Sequence, residues 1–428
     1  MARFQCHPLA AYLQVPSRAP MPALLDIAEL ATCPARTPQH DAGIVRDAAL
    51  AWDDAGRITY AGPRVGLPAA LADAPHESAH GGTVVPGLID AHTHLAFGGD
   101  RAAEFTARLR GADYLALARQ GGGIASTVRA TREATEGALY ARARMALGHM
   151  AALGVTTVEA KSGYGLNVEA ERKTLRVYER LAAEGPQRIV ATCLGAHIVP
   201  PEVAHDRDAY LRLVEDEIIP AVAAEGLARF FDVFVEETAF SPGEARRLFG
   251  AARRHGLVPK LHADQLTDTS GAALAVEVGA ASADHLERIS DDGIARMARS
   301  SVVAVSLPIA TLVLGVEPLP ARRLLDAGVP VAVATDYNPG TAPSFDLHLA
   351  AWLACTRQRM TPHEVLKGMT AVAARAILLD DVGSLAPGLC ADFAVLDAPS
   401  VEAWLYAFRP ETVRRTVVGG QTIFRRPA

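Results

Sequence analysis

The chain has 428 residues, half of them hydrophobic and 21% charged, with a formal net charge of −6. That length suits one large barrel with an attachment, and the composition is that of a folded globular protein. The charge balance, with both signs interspersed, argues against the basic stripe of a nucleic-acid binder, and no apolar run approaches the roughly 20 residues of a membrane span.

Residues 1–20, MARFQCHPLAAYLQVPSRAP, lack the clean apolar core of a signal peptide and are expected to form a loosely ordered extension. Five cysteines, Cys6, Cys33, Cys193, Cys355 and Cys390, are scattered without a Cys-x-x-Cys. This points away from a disulfide framework or a cysteine-rich zinc site and toward a reducing, cytoplasmic location. Histidine and carboxylate must then hold any metal.

Residues 44–61 read as two strands joined by a turn at Asp53–Gly56. From residue 83, apolar runs alternate with helical patterns. The runs are TVVPGLID, VTTVEAKS, RIVATCLGAHIV, RFFDVFVEETAF, LVPKLHADQL, ASADHLERI, SVVAVSLPIATL and VPVAVATDYN. They are rich in β-branched residues and nearly continuous in hydrophobicity, which predicts strands of a parallel sheet buried on both faces. Between them, helices are predicted over 126–153, from a Ser126 cap to a stop at Gly154, over 168–184 and over 243–255 after Ser241-Pro242. Another closes at Asp326-Ala327-Gly328. Eight such units make a (β/α)₈ barrel over residues 83–375. Short strands with glycine turns recur in 383–398 and 412–425. The two chain ends, 1–82 and 376–428, are therefore expected to pair into one small, β-sandwich-like domain.

Chemistry in such barrels gathers at the C-terminal ends of the strands. The first strand delivers His92 and His94, spaced i, i+2 on one face, a spacing that suits a metal ion. The second delivers Glu159, Lys161 and Tyr164, the third His197, and the fourth Glu236 and Glu237. The fifth delivers His262, Asp264 and Gln265, the sixth Asp284 and His285, and the eighth Asp336 and Asn338. A single histidine there is more often structural than a ligand. Five of the chain's 14 histidines at one predicted mouth are harder to dismiss.

A first-strand His-x-His, fifth- and sixth-strand histidines and an eighth-strand aspartate resemble the amidohydrolase superfamily, as do VPGLIDAHTH and GSLAPGLCADFAVLD. Within it, FGGDRAAEF, GGGIASTVRATREA, EAKSGYGL and ATDYNPGTAPS are similar to the imidazolonepropionase family. The resemblance implies a homodimeric hydrolase of histidine degradation that opens the ring amide of 4-imidazolone-5-propanoate to give N-formimidoyl-L-glutamate. It implies one Zn2+ or Fe3+ per chain held by His92, His94, His262 and Asp336. It implies substrate contacts from Arg101, Tyr164, His197, Gln265, Asn338, Gly340 and Thr341, and catalysis by His285 and Asp336. Some members carry Glu where this chain has Gln265; an amide cannot act as a base, which leaves Asp336 or His285 for that role. Some relatives bridge two metals with a carboxylated lysine, but Lys161 on the second strand is poorly placed for it.

Bland readings stand beside these. Arg101 could be a surface ion-pair partner, Tyr164 the tip of a mobile loop, and Gly340 a turn residue. Two other functions fit the same pattern: a related deaminase, distinguished by ammonia release, and a metal-free scaffold, distinguished by metal content.

Overall fold

The computed structural model of the protein describes residues 23–72, 76–111 and 122–427. The predicted extension over residues 1–20 lies outside them. Eight strands form a parallel sheet in chain order: β1 (Leu88–Thr93), β2 (Val155–Lys161), β3 (Arg188–Ala196), β4 (Phe230–Val235), β5 (Val258–Ala263), β6 (Ser282–His285), β7 (Val303–Ser306) and β8 (Val331–Val333). Closure comes at the mouth. Thr93 and Tyr337 form a parallel bridge, His94 N donates to Tyr337 O at 2.8 Å, and Asp336 N donates to His92 O at 3.0 Å. The Asp90 carboxylate reinforces the seam, accepting from Thr335 N at 3.0 Å and Thr335 Oγ1 at 2.6 Å. Every residue of β1, β2, β4, β6, β7 and β8 is buried, as the unbroken apolar runs required.

The run TVVPGLID is two strands rather than one. Thr83–Pro86 pairs with Ala23–Ala31 and Phe393–Leu396, in the small sheet. The chain turns at Gly87, where a Cβ would collide with the Thr156 side chain, and enters the barrel at Leu88. The barrel therefore starts a few residues later than the sequence pattern predicts. The helix predicted over 126–153 is also two, Ile124–Glu133 and Glu136–Ala152. Thr135 is extended and its side chain accepts from Ala138 N, so it starts a second helix, whereas Ser126 lies inside the first. Val168–Glu184, Pro242–Arg254 and Ala321–Asp326 match the predicted helices to within a residue or two.

Both chain ends build the second sheet. Its main path runs Gln421–Arg425, Val413–Val418, Phe393–Leu396, Thr83–Pro86, Ala23–Ala31, Ile44–Trp52, Ile58–Pro63, with His76–Ser78 also on Ala23–Ala31. Trp52 and Phe393 lie three strands apart on that path, about 14 Å if the sheet were flat. Their ring centroids are 5.2 Å apart, so the sheet folds over on itself. This is the sandwich-like character.

Candidate functional site

β1 and the residue after it carry His92 and His94 to the mouth, with ring centroids 5.5 Å apart. β5 adds His262, 4.6 Å from His92 and 5.6 Å from His94. The segment after β8 adds Asp336, whose Oδ1 lies 3.3 Å from His92 Nε2 and 3.5 Å from His94 Nε2. All four are buried.

Carboxylates aim the imidazoles. His92 Nδ1 is 2.7 Å from Asp284 Oδ2, and His262 Nδ1 is 3.0 Å from Asp232 Oδ1. With Nδ1 donating in each, Nε2 keeps its lone pair. Nε2 of His92, Nε2 of His262 and Nδ1 of His94 are buried without a hydrogen-bond partner among the described residues. Donor atoms of His92, His94 and Asp336 lie within 4.8 Å of one another, and so do those of His92, His262 and His285. Orphaned nitrogens beside a carboxylate are what a divalent metal ion satisfies, and the residues present fit one.

Burial drives His262 down to about 3 and holds His94 and His197 below the usual histidine range. His92 goes the other way. Burial and the Lys161 cation press it down, but the Asp284 and Asp336 carboxylates outweigh them and lift it to about 9. Burial would raise Asp336, yet His92 and His94 hold it well below the carboxylate range. The field that draws a proton onto His92 also draws a metal cation.

Lys161 forms the floor. Its Nζ is 2.9 Å from Glu159 Oε1, 2.8 Å from Asp232 Oδ2 and 3.3 Å from Asp284 Oδ2, all fully buried. Burial opposes the charge, but the three carboxylates raise the amine above its usual range. It is an ion-paired ammonium without a free lone pair to carboxylate. It also pins the two aspartates that aim His92 and His262.

The rim holds the other predicted residues. His197 stacks on His94 at 5.3 Å and 20°. Tyr164 lies 5.5 Å from His94 and 5.4 Å from His197, and is 4% exposed. It does not top a loose loop: the buried Glu171 carboxylate accepts from Gly163 N at 3.1 Å, Gly165 N at 2.8 Å and Leu166 N at 2.8 Å. Arg101 is buried, and its Nε donates to Glu104 Oε2 at 3.0 Å. A Cβ at Gly340 would strike the Arg101 guanidinium, so the Gly340 turn and Arg101 share one wall. Asn338 shapes that turn: Oδ1 accepts from Gly340 N and Thr341 N, and Nδ2 donates to Asp336 O and Thr341 Oγ1. Gln265 is half-buried just beyond β5. His285, at the end of β6, is buried 5.3 Å from His262.

Three strand-end acids lie elsewhere. Glu237 is exposed. Glu236 accepts from Leu266 N and Thr267, and Asp264 accepts from Thr269, Gly271 and Ala272, so both brace the loop after β5. Sequence reasoning missed Asp232, Glu171 and Glu104. Asp232 left a signal, a lone carboxylate inside the apolar run RFFDVFV, where a charge requires a partner.

The profile of the amidohydrolase family matches residues 83–423. The imidazolonepropionase of Geobacillus kaustophilus is 47% identical over 388 residues, 90% of this chain and 91% of that protein. That of Cupriavidus taiwanensis is 49% identical over 370 residues, 86% and 88% of the two chains. Among solved structures, a 5-methylcytosine deaminase from Klebsiella pneumoniae superposes with a TM-score of 0.72 at 16% identity, covering 95% of this chain and 98% of its own. An adenosine deaminase from Xanthomonas campestris with bound zinc gives 0.69 at 19%, covering 94% and 93%. At those identities the solved structures speak for the fold alone. The long, near-half-identical matches go further: this chain belongs to the amidohydrolase family, among the imidazolonepropionases.

Proposed function

We propose that the protein hydrolyses the ring amide of 4-imidazolone-5-propanoate to N-formimidoyl-L-glutamate, a step of histidine degradation, with one zinc or iron ion per chain. The observation that carries this reading is the buried Arg101 guanidinium against the Gly340 turn, on the same mouth as the His/Asp cluster. A cyclic amide with a propionate tail supplies both things that mouth asks for, a polarisable carbonyl and a carboxylate. His92, His94, His262 and Asp336 hold the metal. The ion, when bound, acts as a Lewis acid that acidifies a water molecule and polarises the ring carbonyl.

The chain's own residues do the rest. Arg101 offers a planar fork to the tail carboxylate, held in place by Glu104. Tyr164 and His197 wall the ring, and Gln265 orients it by hydrogen bonding without taking a proton. Asn338 and Thr341 hold the turn that admits Arg101 beside Gly340. Asp336 accepts the attacking water's proton. As oxygen bonds to the carbonyl carbon, His285 takes that proton from Asp336 and carries it toward the ring nitrogen. The C–N bond then breaks, and the ring nitrogen leaves with the proton taken from water.

Among the described residues, no helix is long and apolar enough to cross a membrane. The protein is further proposed to act in the cytoplasm as a homodimer, with no nucleic-acid or membrane partner. Incubation with enzymatically generated imidazolone propionate tests the main reading. The substrate's ultraviolet absorbance should fall without release of ammonia. Ammonia release would mark a deaminase, and an unchanged substrate would overturn the assignment.

A further inference from the structure

Three imidazoles at the mouth are built alike, and the third has a partner with no role in the reading above. His92 Nδ1 faces Asp284 at 2.7 Å, and His262 Nδ1 faces Asp232 at 3.0 Å. His285 Nδ1 faces Glu287 Oε1 at 3.6 Å. Glu287 is buried, its side chain 1% exposed, and neither of its carboxylate oxygens has a hydrogen-bond partner among the described residues; nor has His285 Nδ1. A buried carboxylate with no donor is costly to stability, so its place beside a buried, unpartnered imidazole nitrogen calls for a reason.

The backbone supplies a second observation. His285 has φ +81° and Leu286 φ +67°, two consecutive left-handed residues that are not glycine. Each such residue is strained and persists only where the surroundings enforce it. Here Leu286 N donates to Ala263 O at 2.9 Å and Arg288 N to Asp264 O at 2.8 Å, locking the turn against the end of β5. The outcome of the strain is that residues 285 and 287 face each other.

We propose that Glu287 is the positioning residue of His285: its carboxylate accepts the Nδ1 proton and fixes the tautomer that leaves Nε2 for the chemistry. The inference rests on the hydrolase reading and deepens it. Asp232 and Asp284 are pinned by Lys161, so they hold their imidazoles still, as metal ligands require. Glu287 has no such anchor, and its 3.6 Å separation leaves His285 free to close up as charge develops. An acid–base group needs that latitude, and a ligand does not.

Glu287→Gln keeps the shape and removes only the acceptor's charge. It should lower kcat by on the order of 10–100-fold, leave KM and metal content unchanged, and leave the melting temperature equal or higher, because an unpartnered buried charge is gone. In a His285→Ala background the same change should lower kcat no further. A fall in melting temperature with kcat intact would make Glu287 a structural residue and overturn the proposal. An undiminished loss in the His285→Ala background would also overturn it. Wild-type protein that leaves imidazolone propionate unchanged would overturn the hydrolase reading and this dyad with it. An active wild type matched by Glu287→Gln would overturn the dyad alone.

Discussion

His262 and Arg101 separate metal binding from substrate binding at the level of single side chains. His262 Nε2 is a buried nitrogen without a hydrogen-bond partner among the described residues, aimed by Asp232. His262→Ala should therefore lose most of the bound metal along with activity, read by elemental analysis of the purified protein. Full activity in rigorously metal-free wild type would refute the assignment. Arg101 packs against the Gly340 turn and is not among the residues that fit the metal, so Arg101→Lys should raise KM several-fold with metal content unchanged; steady-state kinetics checks it. A substrate analogue without the tail carboxylate should be indifferent to that change. The histidines of this site were legible because a parallel barrel brings every strand end to one rim, and a His-x-His then needs only period-2 geometry to converge. Their supports were not. Glu171 lies on a helix, and nothing in EAERKTL shows that its carboxylate turns back onto the Tyr164 loop. Asn338 was legible as a site candidate, but its bonding within the turn was not: its side chain accepts from Gly340 N and donates to Asp336 O.

At the scale of elements, local chemistry predicted starts well and breaks poorly. Ser241-Pro242 marked the helix Pro242–Arg254, and the structure closes the capping box there with Glu244. The break at Thr135 was missed because the apolar pattern continues through it, and a cap of one hydroxyl decides the matter. Glu244 also pairs with Arg207, at 2.5 Å from Nε and 2.8 Å from Nη2, tying two helices together. Those hydrogen bonds lower its carboxyl from 4.5 to about 2. The folded state thus binds fewer protons than the unfolded chain between those values. The stabilisation is complete above about pH 4.5 and is lost as pH falls toward 2. Glu244→Gln retains the box but loses the charge. It should destabilise by about 0.5–1 kcal/mol at pH 7, a partly exposed pair being screened by solvent. Urea midpoints of the two proteins should converge as pH drops from 5 to 3, and a gap independent of pH would show that the charge is not involved.

The whole molecule is a barrel clasped by both ends of its own chain, and the clasp is polar. Lys367, on the helix Pro362–Gly368, is 1% exposed, and its Nζ donates to Pro34 O at 2.8 Å, Thr37 O at 3.0 Å, Thr37 Oγ1 at 3.0 Å and Pro38 O at 3.1 Å. Gln39 Nε2 donates to Val331 O at 2.7 Å, at the start of β8, and to Glu364 O at 2.9 Å. Strands at the two chain ends were legible as short β runs with glycine turns. This connection was not, because it depends on a loop without secondary structure meeting a lysine more than 300 residues away. Such a connection is expected to make the small domain and the barrel one unfolding unit. Lys367→Met would bury the same bulk and take the ammonium from three carbonyls and a hydroxyl, of which Pro34 O and Pro38 O keep other donors, a loss of about 2–3 kcal/mol. The melting temperature should fall by several degrees in a single transition, with kcat and KM unchanged because the residue lies outside the site. Calorimetry on wild type and variant reads this directly. Two separated transitions in the variant, with the barrel melting where the wild type does, would show that the ends are an independent domain and that the clasp does not couple them.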